Sequence, residues 1–181
     1  MWKKFLIPFV TLSLTAVVAG DYKVPANPSK VFVGAEVGYA VVQGTQGADP
    51  DAKNGGLAYG FRLGAQNIEW RTMLTLDHFN AADDNASYTR GELHADYLFR
   101  MESGASMGVG IIPFIGLNVG YASYKAKGDI NASGVTYGGE AGVIFDVSES
   151  IDVDLMYQYS MSSADELDYI SGIKIGLNYK Y

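Results

Sequence analysis

From Lys30 onward, apolar residues recur at every second position, and they do so in one segment after another. Val31, Val33, Ala35, Val37, Tyr39 and Val41 alternate with Phe32, Gly34, Glu36, Gly38 and Ala40. The same alternation runs over 57–66, 68–77, 92–101, 111–121, 135–146, 151–159 and 171–181. A period of two is the strand signature, because successive side chains leave a strand on opposite faces. The pattern predicts eight strands of about 9 to 13 residues, the length a tilted strand needs to cross a bilayer and longer than the ~5–6 of an average soluble strand. One face of every strand is apolar, with Tyr and Phe gathered toward the strand ends. The other face holds Gly, charges and amides. Aromatics at both ends of an aliphatic band are what a lipid-facing barrel wall presents.

The predicted connections alternate. Gln43–Gly55, Phe79–Ser87, Lys125–Gly134 and Ser160–Asp168 read as long loops. Gln66-Asn67, Glu102–Met107 and Ser148–Ser150 read as short turns. Outer-membrane barrels carry long extracellular loops and short periplasmic turns, so an even number of strands with a periplasmic start places every long connection outside. In hydrocarbon each backbone N–H and C=O must be paired, which requires the last strand to close on the first. The fold class expected is all-β: a transmembrane eight-stranded antiparallel up-and-down barrel over residues 30–181.

Residues 1–20 read differently. Lys3 and Lys4 precede an apolar run from Phe5 to Val18 that is too short to span a bilayer as a helix, and small residues follow it. This is the organisation of a cleaved signal peptide, with 21–29 as a periplasmic lead-in. Cleavage would leave two fewer basic groups than the 13 of the whole chain against an unchanged 20 acidic ones, moving the net charge from −7 to −9. An acidic chain is a poor match for nucleic acid. With no Cys, a disulfide scaffold, a thiol nucleophile and a lipid-anchor cysteine are all ruled out.

The inward-facing parity collects the chemistry. Glu36, Arg62, Glu69, Arg71, Arg90, Glu92, Asp96, Arg100, Glu140 and Lys174 are expected to form an ion-pair network in the lumen. Asp77, His94, Asp146, Asp152, Asp154 and Lys180 share their face. An eight-stranded barrel is just wide enough for side chains to fill, and a buried charge must be paired. Phe32, Ile112, Phe114, Ile144 and Met156 also face inward and would plug part of the space. Two separated histidines, His78 and His94, do not supply the three or four convergent ligands of a metal site, so no metal and no cofactor is expected. His78 beside Asp77 is the only fragment of a catalytic arrangement. Asp49–Gly55 faintly has the look of a calcium loop, but Lys53 stands at a ligand position and Gly60 where a bidentate Glu belongs. It is read as a turn-rich loop.

Three stretches bear a resemblance. Ile112-Pro-Phe-Ile-Gly-Leu-Asn-Val-Gly-Tyr121, Tyr137-Gly-Gly-Glu-Ala-Gly-Val-Ile-Phe145 with Asp154-Leu-Met-Tyr-Gln-Tyr159, and the ending Ile173-Lys-Ile-Gly-Leu-Asn-Tyr-Lys-Tyr181 are similar to the small outer-membrane barrels of the OmpA transmembrane-domain and OmpX-like group. That resemblance implies a C-terminal sorting signal at Ile173, Ile175, Leu177, Tyr179 and Tyr181, although the signal usually ends in Phe. It also implies periplasmic chaperones and the barrel-insertion machinery as partners during biogenesis. The mature protein is expected to be a monomer in contact with outer-membrane lipid and lipopolysaccharide. Its acidic loops are available to an external partner. The function expected is non-enzymatic, structural or adhesin-like. The alternatives are a narrow porin-like channel and an outer-leaflet lipid-modifying enzyme.

Overall fold

A computed structural model describes residues 29–46, 49–83, 85–100 and 110–181. The predicted signal peptide, nearly all of the predicted lead-in and the Glu102–Met107 turn lie outside these residues. Eight strands run in chain order: β1 (Lys30–Gln46), β2 (Asp49–Gln66), β3 (Trp70–Ala81), β4 (Ala86–Leu98), β5 (Gly110–Ala126), β6 (Ile130–Asp146), β7 (Ile151–Ser162) and β8 (Leu167–Lys180). Each pairs antiparallel with the next, and β1 pairs with β8 from Phe32↔Lys180 to Gly44↔Leu167, closing the barrel. Closure leaves no unpaired edge, the condition hydrocarbon imposes.

Sidedness follows the alternation. Phe61 and Leu117 on the outer face are more than 70 % exposed, whereas Arg62, Arg71, Arg90, Asp96 and Asp154 on the inner face are buried. That is inverted relative to a water-soluble barrel. Apolar atoms gain nothing from an aqueous exterior, so the surface suits a hydrocarbon surround. Two aromatic groups border the apolar band. At the end carrying both barrel termini, Trp70 meets Tyr97 edge-on at 5.2 Å, and Tyr97 meets Phe99 at 5.1 Å. At the far end Tyr159 stacks on Tyr169 at 5.2 Å, and Tyr59 packs against His78 at 5.7 Å.

The strands are longer at the far end than their sequence suggests. Most of the predicted loops Gln43–Gly55 and Lys125–Gly134 are strand, with β5 and β6 joined through Lys127–Asp129 alone. Asp49–Gly55 is therefore neither a calcium loop nor a turn-rich loop but the start of β2. Gly, Asn and Asp have poor strand propensity, yet cross-strand pairing of a hairpin already in register overrides it. The β5–β6 turn uses Gly128 and Asp129 at positive φ, 89° and 58°, a conformation Gly and Asp tolerate.

At the other end the strands stop sooner. The Asn67 side-chain oxygen accepts from the backbone N–H groups of Glu69 and Trp70, both at 2.8 Å. This Asx turn withdraws Ile68 and Glu69 from the strand they were assigned to. Likewise β4 ends at Leu98, before Arg100.

Candidate functional site: the charged lumen

Three layers fill the interior. An apolar cluster of Leu98, Ile112, Phe114, Ile144 and Met156 lies on the β4–β7 side toward the terminal end. A second, around Phe79, Tyr88, Tyr124, Leu167 and Ile170, closes the far end. Between them runs a belt in which the buried Arg62, Arg71, Arg90 and Lys174 face six buried carboxyl groups, with His94 among them.

Hairpin neighbours form the first pairs. Asp77 and Arg90 are cross-strand partners on β3 and β4. Arg90 grips Asp77 with two parallel hydrogen bonds, Nε to Oδ1 at 3.2 Å and a terminal nitrogen to Oδ2 at 2.9 Å. This is the fork geometry that makes an Arg–carboxylate pair strong. Arg71 and Asp96 are partners in the same hairpin, joined by Nε at 2.8 Å.

Other bonds cross the lumen. Arg62 on β2 donates through Nε and a terminal nitrogen to Glu36 Oε2, at 3.0 and 2.8 Å, and through its other terminal nitrogen to Asp154 Oδ2 on β7 at 2.5 Å. Arg71 reaches the same Asp154 oxygen at 3.1 Å. Lys174 on β8 bridges Glu36 (2.5 Å) and Asp77 (3.1 Å). Gly176 and Gly116 give room for these heads: a Cβ on the first would collide with the Arg62 guanidinium, and on the second with the Asp96 carboxylate. The cations also rest on the apolar layers. The Arg71 guanidinium lies 4.4 Å above the Phe114 ring and that of Arg90 5.3 Å from Tyr88.

The remaining corner is different. His94 Nδ1 lies 2.8 Å from both oxygens of Glu140, and its Nε2 lies 3.0 Å from Thr75 Oγ1 and 3.8 Å from Glu92. Hydroxyl, imidazole and carboxylate in a row have the order of a nucleophile–base–acid relay. Thr75, His94 and Glu140 are each at most 4 % exposed. A cavity beside Arg90 and Lys174 measures about 10 Å3, about the volume of one water probe. The row is a buried hydrogen-bonded network of the interior.

Of the residues assigned to the lumen from sequence, Glu36, Arg62, Arg71, Arg90, Glu92, Asp96, Glu140 and Lys174 are buried there. Two are not. Glu69 is exposed in the Asn67–Glu69 turn, and no described residue pairs with it. Arg100 lies past the end of β4, exposed at the barrel mouth, donating to Ile68 O at 3.1 Å with Asp146 3.9 Å away. Both have inward parity, but the wall ends before they reach the lumen. His78 and Asp77 point to opposite sides of the wall: Asp77 is buried inside, and outside His78 Nδ1 meets Thr89 Oγ1 at 2.9 Å. The fragment seen in the sequence therefore does not assemble. No described group of His, Asp or Glu could hold a metal ion.

Sequence reading missed the neutral members of the network. Gln158 Nε2 donates to Glu92 Oε2 (2.7 Å), Ser160 Oγ to Asn118 Oδ1 (2.8 Å), and Asn178 Nδ2 to Asp152 and Asp154 (2.7 and 2.9 Å). Their inward parity was visible; only their lack of charge hid them. Ile173, Ile175, Leu177, Tyr179 and Tyr181 all lie on the exposed outer face at the β8 end.

No protein-family model and no curated protein sequence matches the chain. Solved structures do. Neisserial surface protein A is similar over 85% of this chain and 99% of its own, with a TM-score of 0.65 at 12% identity. The attachment invasion locus protein of Yersinia pestis matches over 83% and 98%, with a TM-score of 0.49 at 16% identity. A major outer membrane protein from Thermus thermophilus matches over 84% and 99%, with a TM-score of 0.47 at 11% identity.

Proposed function

We propose, on the premise of the small eight-stranded outer-membrane barrel fold that the chain has, that it is an integral outer-membrane protein, exported by its N-terminal segment, with a sealed lumen and a non-enzymatic role that is structural or surface-interacting. The observation that carries this reading is the filling of the interior. Arg62, Arg71, Arg90 and Lys174 are buried against carboxylates between two apolar clusters, and a cavity beside Arg90 and Lys174 is about 10 Å3. A solute path needs a continuous polar channel, and smaller barrels fill theirs with side chains. Asp83, Asp129, Asp165 and Asp168 are exposed at the far end, where they are available to an external partner. The outward, apolar C-terminal strand is the segment the insertion machinery would read.

The test is single-channel recording of the refolded protein in a planar bilayer. A folded, inserted protein that stays silent is the expected result. Discrete conductance steps that change in Arg71→Ala would make the lumen a pore and overturn the sealed reading.

A further inference from the structure

The far end of the outer wall is not uniform. On β3 to β6 two successive cross-strand rows of outward side chains are polar, one above the other: His78, Thr89, Ser123 and Ser133, then Asn80, Ser87, Lys125 and Asn131. Immediately toward the membrane, the same strands present Leu76 and Tyr121, both more than half exposed. Three inter-strand steps of about 4.8 Å make the patch roughly 15 Å wide.

The upper row opens into a surface pocket of about 300 Å3, lined by Asn80, Asn85, Ser87, Lys125 and Lys127, with Ala86 and Ala126 between them. Its rim is fixed. Lys127 N–H donates to Asn85 O at 3.0 Å, and Asn85 N–H donates to Asp83 Oδ1 at 3.2 Å, so the nearby Asp83 carboxylate is turned to its own loop. Among the described residues no carboxylate lines the pocket, although the chain as a whole is acidic. Lys125 and Lys127 form no ion pair with a described residue. Below the pocket, Tyr121 OH donates to Ser133 Oγ at 3.0 Å and His78 meets Thr89 at 2.9 Å, so this part of the wall carries hydroxyls and an imidazole rather than hydrocarbon.

From this juxtaposition we infer that the β3–β6 outer wall binds the headgroup of a phosphorylated glycolipid of the outer leaflet. The two lysines take a phosphate, and Asn80, Ser87, Asn131 and the row beneath take sugar hydroxyls. The occupant is a lipid because the patch faces sideways, directly above the apolar band, where the headgroups of the surrounding leaflet lie. The inference rests on the outer-membrane reading and adds a sector and a chemistry to it.

The test uses the refolded full barrel in phosphatidylcholine nanodiscs containing either lipopolysaccharide or phosphatidylglycerol as the anionic lipid. Lipid retained after extraction into detergent is read by native mass spectrometry. Wild type is expected to retain lipopolysaccharide in preference to phosphatidylglycerol. Lys125→Gln/Lys127→Gln should weaken retention about thirty-fold, the combined worth of two surface lysines near anionic headgroups. Asn80→Ala/Ser87→Ala should lose the preference for the sugar lipid while keeping some affinity for both. Lys53→Gln, which removes one positive charge at the same end but outside the pocket, should change nothing.

Equal loss in Lys53→Gln would show diffuse charge attraction and overturn the proposal. So would equal retention of the two lipids by wild type, or displacement of bound lipid by soluble dextran sulfate, which would make the patch a polyanion receptor. Failure to insert into any nanodisc would instead overturn the outer-membrane reading beneath it, whereas insertion without selective retention sinks only the headgroup site.

Discussion

On one side of the lumen Arg62, Arg90 and Lys174 each touch two carboxyl groups, and Glu36, Asp77 and Asp154 are each held by two cations. On the other, Glu140 has a histidine for its partner, and Asp96, which shares a cross-strand row with it across Gly116, has Arg71. Both corners are equally dry. They differ in how many opposite charges are left when one group is removed. In the first, three cations balance three carboxylates, so neutralising any member leaves one charge uncompensated in a medium that solvates it poorly. In the second, no Arg or Lys pairs with Glu140, so neutralising it takes a counter-ion from neither. Burial alone thus does not rank these residues; the count of opposite charges around each one does.

Breaking the paired corner should cost most. Arg62→Met, or Asp77→Asn on the anionic side, is expected to destabilise the barrel by about 3–5 kcal/mol, the cost of leaving one buried charge of the network uncompensated. The denaturant midpoint for unfolding from lipid vesicles measures it. A loss below that of Leu117→Arg would mean that water reaches the belt.

Leu117→Arg sets the scale from outside. This residue is 71 % exposed on the apolar wall. A cation there should cost roughly 2–4 kcal/mol if the site is near the bilayer midplane. The cost should vanish in detergent that lets the side chain reach water, which separates a lipid-facing wall from a water-facing one.

A smaller effect belongs to Thr75→Val, which removes the hydroxyl 3.0 Å from His94 Nε2. About 1 kcal/mol is expected, the net worth of one buried hydrogen bond.

The smallest effect sharpens the comparison. Glu140→Gln should change the unfolding free energy by less than about 1 kcal/mol, because no cation loses its counter-ion. A loss equal to that of Asp77→Asn would show that His94 carries a full positive charge and that the two corners are alike.

Much of this was legible in the chain. The alternation around Arg62, Arg71 and Arg90 correctly separated inner from outer side chains, because a period of two admits no other assignment once a strand is granted. Hairpin pairs such as Asp77–Arg90 and Arg71–Asp96 were not legible, because the β3–β4 connection, read as the long loop Phe79–Ser87, leaves their register open. What parity cannot supply is where a strand stops. Glu69 and Arg100 have the right face but stand beyond the wall, since an Asx turn at Asn67 and the end of β4 at Leu98 decide the rim. The long far-end loops were misread for the opposite reason: Gly- and Asn-rich segments with little strand propensity are held as strand by partners the sequence does not reveal.

The sequence by itself determined the number of strands, the face each residue takes, the inverted sidedness and the order of neighbours, because all of these are local consequences of the alternation and of short connections. Only the tertiary structure decided who meets whom across the lumen. Arg62 finds Asp154, and Lys174 finds both Glu36 and Asp77. These partners lie far apart in sequence, and their relative heights are set by the stagger of strands on closure. The same closure brought Thr75 and Glu140 to His94 and aligned the polar rows of β3–β6 beside Lys125. Height around a closed wall is a property of the whole sheet, which no single segment encodes.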